Sequence, residues 1–375
     1  MVAPRIPYVL PFPPPLIHPQ NATTLSAAID AVTSFLESRN IVILTGAGIS
    51  VESGLADYRG EKGTYRLNRS YRPIFYEEFA GNHEARKRYW ARSFLGWSIL
   101  EKAKPNRTHK SISILGKQGV LNHVITQNVD SLHHTCHPHL RTTELHGTLR
   151  TLTCLTCRSL YPRVEFQKTL AKLNPKWAEF LHTFGEAGIS DRDYRREANI
   201  TTNPDGDVDV PGAPYTKFRY PPCPKCLNSN DIKVLVDEQG SHRPSEQLAT
   251  NGVLKPSITF FGESVAPEAK AEAEEMVDKC GGILIVGTSL ATYSAYRLAK
   301  ASHDAGKGVG IVNLGGVRGE DLFFSKEGKG KRLRVDFGSG DILGGVAKNF
   351  GGEVVEKEEG ETPVRGGGGI WGMER

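Results

Sequence analysis

Four of the six cysteines in this chain form two C-x-x-C pairs, Cys154/Cys157 and Cys223/Cys226. Together they offer four thiolates, a tetrahedral sulfur set that suits Zn2+ and leaves no position open for water. A site closed in this way holds structure together and performs no reaction. Cys136 and Cys280 remain as ordinary thiols. The spacer between the pairs is longer than the roughly 15–20 residues usual for such sites, so the two knuckles bracket a larger insert. Just before the first pair, "ELHGTLRTLTCLTC" (Glu144–Cys157) carries His146. With four thiolates available, His146 is not needed as a ligand. Taken alone it reads as a histidine satisfied by a backbone carbonyl more readily than as a base, although an imidazole near pKa 6.5 is suited to both.

A second group of chemical residues sits where apolar runs end. "TGAGIS" (Thr45–Ser50) is a glycine turn whose Gly46 and Gly48 match the first two glycines of a phosphate-binding G-x-G-x-x-G, while Val51 occupies the third position. Such a match is weak, and a plain tight turn explains it equally well. The continuation "SGLADYRG" sets Asp57, Tyr58 and Arg59 where an ordinary dinucleotide fold continues its helix, which points to an ordered loop over a ligand. "TQNVDSLH" places Gln127, Asn128 and Asp130 at a strand's carboxyl end, the position of ligand readers in open sheets. "VGTSL" (Val286–Leu290) and "VNLGG" (Val312–Gly316) turn the chain in the same way and complete four loops on one face.

The elements that must hold these loops follow from periodicity. Asn21–Arg39 has apolar positions at helical spacing, and Ile41–Leu44 is a short buried-strand run. Similar runs recur at "VLNHVITQN", "ITFFGE", "GGILIVGTSL" and "VGIVNLGG", with helical stretches at Lys110–Gly116, Pro267–Lys279 and Ser294–His303. Strands alternating with helices predict an α/β fold, a Rossmann-like, doubly wound parallel sheet. Both cysteine pairs fall in a break of this pattern, predicted as an inserted zinc-ribbon module. The predicted organisation is a proline-rich arm (1–20), a core of 21–60, 106–148 and 253–350, a helical segment (61–105), the zinc module (149–252) and a disordered glycine-rich tail (351–375). Within the module, "GEAGISDRDYRREANITTNPDGDVDVPGAPYT" is rich in turn formers and charge, which predicts a long surface loop with at most a short helix.

Bulk composition narrows the function classes. With 375 residues, 38% hydrophobic and 24% charged, there is material for a large core and a smaller module. The net charge of +5 is spread along the chain, so neither a specific nucleic-acid footprint nor a membrane-binding basic run is present. No run of about 18 apolar residues is long enough for a membrane helix.

At this point the chain is recognisable. "GAGISVESGLADYRG", "TQNVDSLH", "ELHG", the paired cysteines, "KPSITFFGE", "GTSL" and "VNLG" occur in order, and over residues 25–345 the chain resembles the sirtuin family of NAD-dependent protein deacylases. "DYRGEKGTYR", the Lys87–Trp97 stretch and "NPDGDV" resemble the class II branch, which includes mitochondrial lipoamidase-type sirtuins. The departures are Leu55-Ala56 for the usual Ile-Pro, Ser131 for a usual Gly or Ala, and the long cysteine gap. The resemblance implies a co-substrate, NAD, one structural Zn2+ per chain and acylated protein lysines as partners. In such enzymes the acyl oxygen attacks the ribose carbon bearing nicotinamide, and a ribose hydroxyl then attacks the resulting imidate. It also implies roles. His146 activates the ribose hydroxyls, Asn128 holds the ribose and a water, Gln127 the ribose, and Asp130 the nicotinamide region. Asp57, Tyr58 and Arg59 belong to the loop closing on the cofactor. Gly46, Ala47, Gly48, Gly287, Thr288, Ser289, Asn313 and Gly315 line phosphates and adenosine, with Asp341 and Ile342 near the adenine. The segments "FFGES" and "TSLAT" become two edges between which substrate peptide adds as a strand. Cys154, Cys157, Cys223 and Cys226 hold the zinc.

Three rivals frame this expectation. Protein ADP-ribosyl transfer uses the same cofactor and first bond cleavage. A zinc-containing dehydrogenase requires a glycine at 51 and a later acidic residue closing the second strand. A nonenzymatic zinc-ribbon adaptor leaves the strand-end polar groups without a purpose. The mitochondrial matrix is expected from the resemblance, against nucleus or cytoplasm; Asp30 is the first acidic residue, as a transit peptide requires, yet Arg5 is the only Lys or Arg before it. Finally, class II sirtuins that remove succinyl groups resemble one another in a Tyr followed three residues later by an Arg. Here Tyr65 is followed by Asn68, with Arg66 and Arg69 beside it, which predicts a pocket for uncharged acyl groups.

Overall fold

The computed structural model describes residues 12–38, 40–68, 71–183, 200–244, 250–325 and 330–353. The first eleven residues of the arm, Arg69, the first half of the expected surface loop and the tail from 354 lie outside the described residues. Six parallel strands form the main sheet in the order β3-β2-β1-β9-β10-β11, namely Thr142–Glu144, Leu121–Thr126, Ile41–Thr45, Gly282–Val286, Gly308–Val312 and Arg332–Val335. Every residue of β1, β9 and β10 is buried, because helices cover both faces and leave no side of the strand for polar residues. On one face pack the Leu25–Leu36, Arg107–Lys117 and Ser339–Asn349 helices, and on the other Pro267–Lys279 and Tyr293–Asp304. The strand order reverses between β1 and β9. In such sheets the crevice outside the carboxyl ends at that reversal is where ligands bind.

A second, antiparallel sheet has the order β5-β4-β8, from Leu160–Pro162, Gly147–Cys154 and Leu254–Ile258. This corrects the expectation that the run leading into "ITFFGE" joins the parallel sheet. β8 lies at the edge of the small sheet and contains Pro256, whose missing N–H removes a ladder bond that a central strand needs. The small sheet therefore overruns the predicted module boundaries at 149 and 252. The module also contains two helices, Arg163–Leu173 and Pro175–Thr183, that carry Phe166, Leu170, Trp177 and Phe180 into its core.

The described half of the expected surface loop is not a loop throughout. Thr201–Thr202 and Val208–Asp209 pair as β6 and β7, and Ile200, Val208 and Val210 are buried. Helix His83–Lys102 packs against this hairpin and joins Trp90, Phe94, Trp97 and Leu100 to the module's core. The described part of the arm crosses β11: His18 and Arg334 exchange backbone hydrogen bonds of 2.9 and 2.7 Å.

Candidate active site and metal centre

At the strand reversal the turns after β1 and β9 interlock. The Gly46 N–H donates to the Val286 carbonyl at 3.2 Å and the Gly48 N–H to the Gly287 carbonyl at 2.9 Å. A Cβ on either glycine would collide with Gly287 or Thr288, so both glycines are required for this close approach. Their N–H groups are thereby occupied, which narrows the expected phosphate cradle to the neighbouring backbone and side chains. The chain then forms a 3-10 turn, Ala47–Ser53, not the long helix of an ordinary dinucleotide fold.

Polar side chains converge beneath this turn. The Asn128 amide donates to Ser50 Oγ at 3.1 Å, and the Ser50 hydroxyl donates to Asp130 Oδ2 at 2.7 Å. Asp130 Oδ1 accepts the Leu132 N–H at 2.9 Å. Burial pushes the Asp130 carboxyl upward, opposed by these donors. The Gln127 amide donates to Thr288 Oγ1 at 2.9 Å, and the Thr292 hydroxyl donates to Gln127 Oε1 at 3.1 Å, tying β2's end to β9's loop. The next residue after Asp130, Ser131, adopts φ 60°, the region favouring glycine, and its hydroxyl bonds Glu144 at 2.7 Å.

His146 stands between this network and the small sheet, one residue before β4. Its Nδ1 lies 3.1 Å from the Gln127 carbonyl and its Nε2 2.8 Å from Ser294 Oγ. A carbonyl only accepts, so Nδ1 carries the proton and Nε2 offers its lone pair to the Ser294 hydroxyl. The surrounding protein lowers the imidazole to about 4, the Gln127 carbonyl opposing that shift. His146 is thus neutral at physiological pH, with Nε2 as a ready acceptor.

The four knuckle cysteines meet at the far end of β4, and their sulfurs all lie within 4.8 Å of one another. Cys154 and Cys226 are 3.5 Å apart, Cys157 and Cys223 3.8 Å. A tetrahedron with metal–sulfur bonds of about 2.3 Å has edges of about 3.8 Å, so the donor set fits Zn2+. All four are free thiols, and Cys154, Cys223 and Cys226 are buried. His146 takes no part in the cluster.

The Sir2 family model matches residues 46–294. "NAD-dependent protein deacylase SIR4" of Batrachochytrium dendrobatidis is 35% identical over 89% of this chain and 98% of its own length. The chain belongs to the Sir2 family. A second sirtuin, "NAD-dependent protein deacylase SRT2" of Arabidopsis thaliana, is 37% identical over 77% of this chain and 69% of its own. Among solved structures, one described as "Structural Basis for the Mechanism and Regulation of Sir2 Enzymes" is similar at 25% identity and TM-score 0.54, covering 86% of this chain and 98% of that one.

In this sirtuin the Asp57–Arg59 loop is folded back on the short helix Thr64–Leu67, with Asp57 and Tyr58 carbonyls accepting the Thr64 and Tyr65 N–H groups at 2.9 and 3.0 Å. Leu55, one of the departures from the usual motif, packs on the module's core. Asp57 Oδ2 accepts the Gly60 N–H at 2.8 Å, Tyr58 donates its hydroxyl to Asp205, and the Arg59 guanidinium lies 4.9 Å from the Tyr65 ring centre. The helix ends at Leu67 and Asn68 is extended, so helical spacing does not relate Asn68 to its neighbours; Arg66 is exposed.

The remaining expected site residues divide. Asn313 closes its own turn, donating to the Leu314 and Gly315 carbonyls, and the Gly315 N–H donates to Asp336. Asp341 pairs with Arg107 at 3.3 Å, while the Ile342 side chain is wholly within the core beside Ile112 and Leu115, so a cofactor could reach Ile342 only through its backbone. Ser50, Thr292, Ser294 and Asp205 were not singled out from the sequence. Ser50 lies inside the quoted glycine turn. Ser294 carries no local signal, because its partner His146 is 148 residues away; Asp205 lies inside the quoted "NPDGDV", but its partner Tyr58 is 147 residues away, so its role was not legible there.

Proposed function

We propose that this chain removes acyl groups from protein lysines with consumption of NAD, releasing nicotinamide and O-acyl-ADP-ribose. The observation that carries this reading is the orientation of His146, whose Nδ1–H is held by the Gln127 carbonyl just beyond β2 and whose unprotonated Nε2 faces Ser294, just beyond the loop that follows β9. NAD supplies an electrophilic ribose carbon with nicotinamide as its leaving group. His146 Nε2 accepts a proton from a ribose hydroxyl, which takes the place of the Ser294 hydroxyl, while the Gln127 carbonyl holds Nδ1–H and with it the tautomer. Asn128 and Gln127, fixed through Ser50 and Thr288, orient the ribose, and Asp130 orders the nicotinamide side through the same hydroxyl. Ala47, Ser289 and the backbone around Gly287 receive phosphates. The peptide lies between the segments after β8 and β9. The cysteine tetrad holds Zn2+ and keeps the module in place.

The test is a panel of acylated peptides with and without NAD, following nicotinamide, deacylated peptide and O-acyl-ADP-ribose together. Equal release of all three supports the reading. Nicotinamide release with ADP-ribose left on protein and no deacylated peptide would establish the transferase instead. For the compartment we propose the mitochondrial matrix, on the resemblance to mitochondrial class II sirtuins; imaging of a full-length fluorescent fusion tests it.

A further inference from the structure

We propose that Asp205, carried by the β6–β7 hairpin of the zinc module, is a positioning residue that clamps the Asp57–Arg59 cofactor loop through the hydroxyls of Tyr58 and Tyr71. The proposal rests on the sirtuin reading of that loop and adds a residue from outside the sheet to its machinery.

The geometry begins with the hairpin. The Gly206 N–H donates to the Asn203 carbonyl and the Asn203 N–H to the Asp207 carbonyl, both at 3.0 Å, and Gly206 sits at φ 72°. The turn is pressed onto helix His83–Lys102, where a Cβ on Gly96 would collide with the Gly206 carbonyl. Asp207 anchors it there, pairing with Arg92 at 2.9 Å and accepting the Asn203 amide at 2.6 Å. Asp205 at the tip then has one oxygen turned to the cofactor loop and the other to the segment after it. Oδ1 takes the Tyr58 hydroxyl, and Oδ2 takes the Tyr71 hydroxyl at 3.2 Å. Tyr58 also stacks on Tyr65, and Tyr65 meets Tyr71, so three rings and one carboxylate form a single packed unit beneath the loop.

The charges around Asp205 show what the arrangement favours. Tyr58 from the loop, Tyr65 and Tyr71 from the segment after it, Tyr89 and Arg92 from the helix, and Asp207 from the hairpin all face it. Desolvation and the neighbouring Asp207 push its carboxyl up to about 6, the two tyrosine donors and Arg92 opposing them. Tyr58 and Tyr71 are held well above their usual range, so both remain donors at any working pH. A carboxyl whose pKa is raised on folding binds its proton more tightly in the folded state. Its contribution to stability therefore falls as pH rises from its unfolded value to about 6 and stays unfavourable above. A group that disfavours folding at neutral pH yet ties the Tyr58 hydroxyl of the cofactor loop to the Tyr71 hydroxyl of the segment after it acts on ligand binding more than on the fold.

The experiment compares wild type, Asp205→Asn and Tyr71→Phe by calorimetric NAD titration across about pH 5 to 8, with thermal unfolding alongside. Asp205→Asn is expected to bind NAD roughly 10-fold more weakly at neutral pH, since a charged acceptor of two hydroxyls becomes a neutral one, while its Tm is unchanged or raised. Wild-type affinity is expected to weaken as pH falls through about 6, and the Asn variant to lose that response. Steady-state kinetics should place the effect in KM for NAD and leave kcat nearly as it was. Tyr71→Phe keeps the ring and removes one hydroxyl; it gives a smaller loss and serves the same test where Asp205→Asn does not fold. Wild-type affinity and pH response in a folded Asp205→Asn, or unchanged binding in Tyr71→Phe where that variant stands in, overturns the clamp. Absence of NAD binding by wild type overturns the NAD-dependent function proposed above, a separate outcome.

Discussion

Two carboxylates serve the same group of loops and are held in opposite ways. Asp130 stands on the end of β2, and its partners are a backbone N–H two residues on and the Ser50 hydroxyl at the end of the neighbouring strand's turn. Asp205 arrives on a hairpin from the inserted module and meets tyrosines 147 and 134 positions away. A group on a strand end inherits the rigidity of the ladder beneath it. A loop that must admit a ligand has no ladder, so its shape is held by side chains brought from elsewhere. The contrast predicts that disturbing the sheet-end network damages turnover, while disturbing the module acts on cofactor affinity and stability.

The largest effect that sharpens this contrast is loss of the module's crosslink. Cys223→Ser removes one of four thiolates, and zinc sites of this kind contribute of order 10 kcal/mol to folding their surroundings. Metal analysis should find one zinc per chain in wild type and none in the variant, with the variant's module open to proteolysis. Absence of zinc in wild type, or a disulfide between the pairs, would sink the assignment. On the sheet side, His146→Ala and Asn128→Ala are expected to lower kcat by roughly 10²- to 10⁴-fold with folding and NAD binding retained. Should His146→Ala lose folding and binding together, the histidine is structural and the contrast fails. The pH sign follows from burial: His146 is the neutral base above about 4, so the limb of kcat/KM that it governs appears only below that value. Acid losses near neutrality belong to other groups.

A smaller effect concerns the acyl group. By the resemblance, Asn68 stands where succinyl-removing class II sirtuins carry an arginine, and Arg66 is exposed. A succinyl carboxylate entering there loses hydration without gaining that ionic fork, a penalty of roughly 10- to 100-fold against acetyl, branched or lipoyl-like groups. Competition between succinyl and acetyl versions of one peptide measures it. A succinyl preference would show that a neighbouring cation, such as Arg59 above the Tyr65 ring, reaches the acyl chain.

Much of the frame was legible without coordinates. The runs at Ile41–Leu44, Gly282–Val286 and Gly308–Val312 are apolar because a sheet covered on both faces excludes water, while Leu121–Thr126, nearer the edge, admits an exposed Asn122. Their ends carry glycine and polar residues because the loops beyond must turn and bind. Two C-x-x-C pairs announce a sulfur site by spacing alone. The short strands β3 and β11 and the two-residue strands β6 and β7 escaped, since so few residues show no period. β8 was assigned to the wrong sheet although Pro256 argued against a central strand.

What this amino-acid sequence determined by itself is therefore local: strand and helix periods, the thiolate knuckles, the strand-end polar groups and the family they resemble. Only the tertiary structure decided which distant groups meet. It set Ser294 against His146, gave the imidazole its tautomer through the Gln127 carbonyl, buried the Ile342 side chain and brought Asp205 to Tyr58 and Tyr71. Hydrogen bonds between residues more than a hundred positions apart leave no spacing in the chain, because the packing of whole elements, not local propensity, brings their partners within reach.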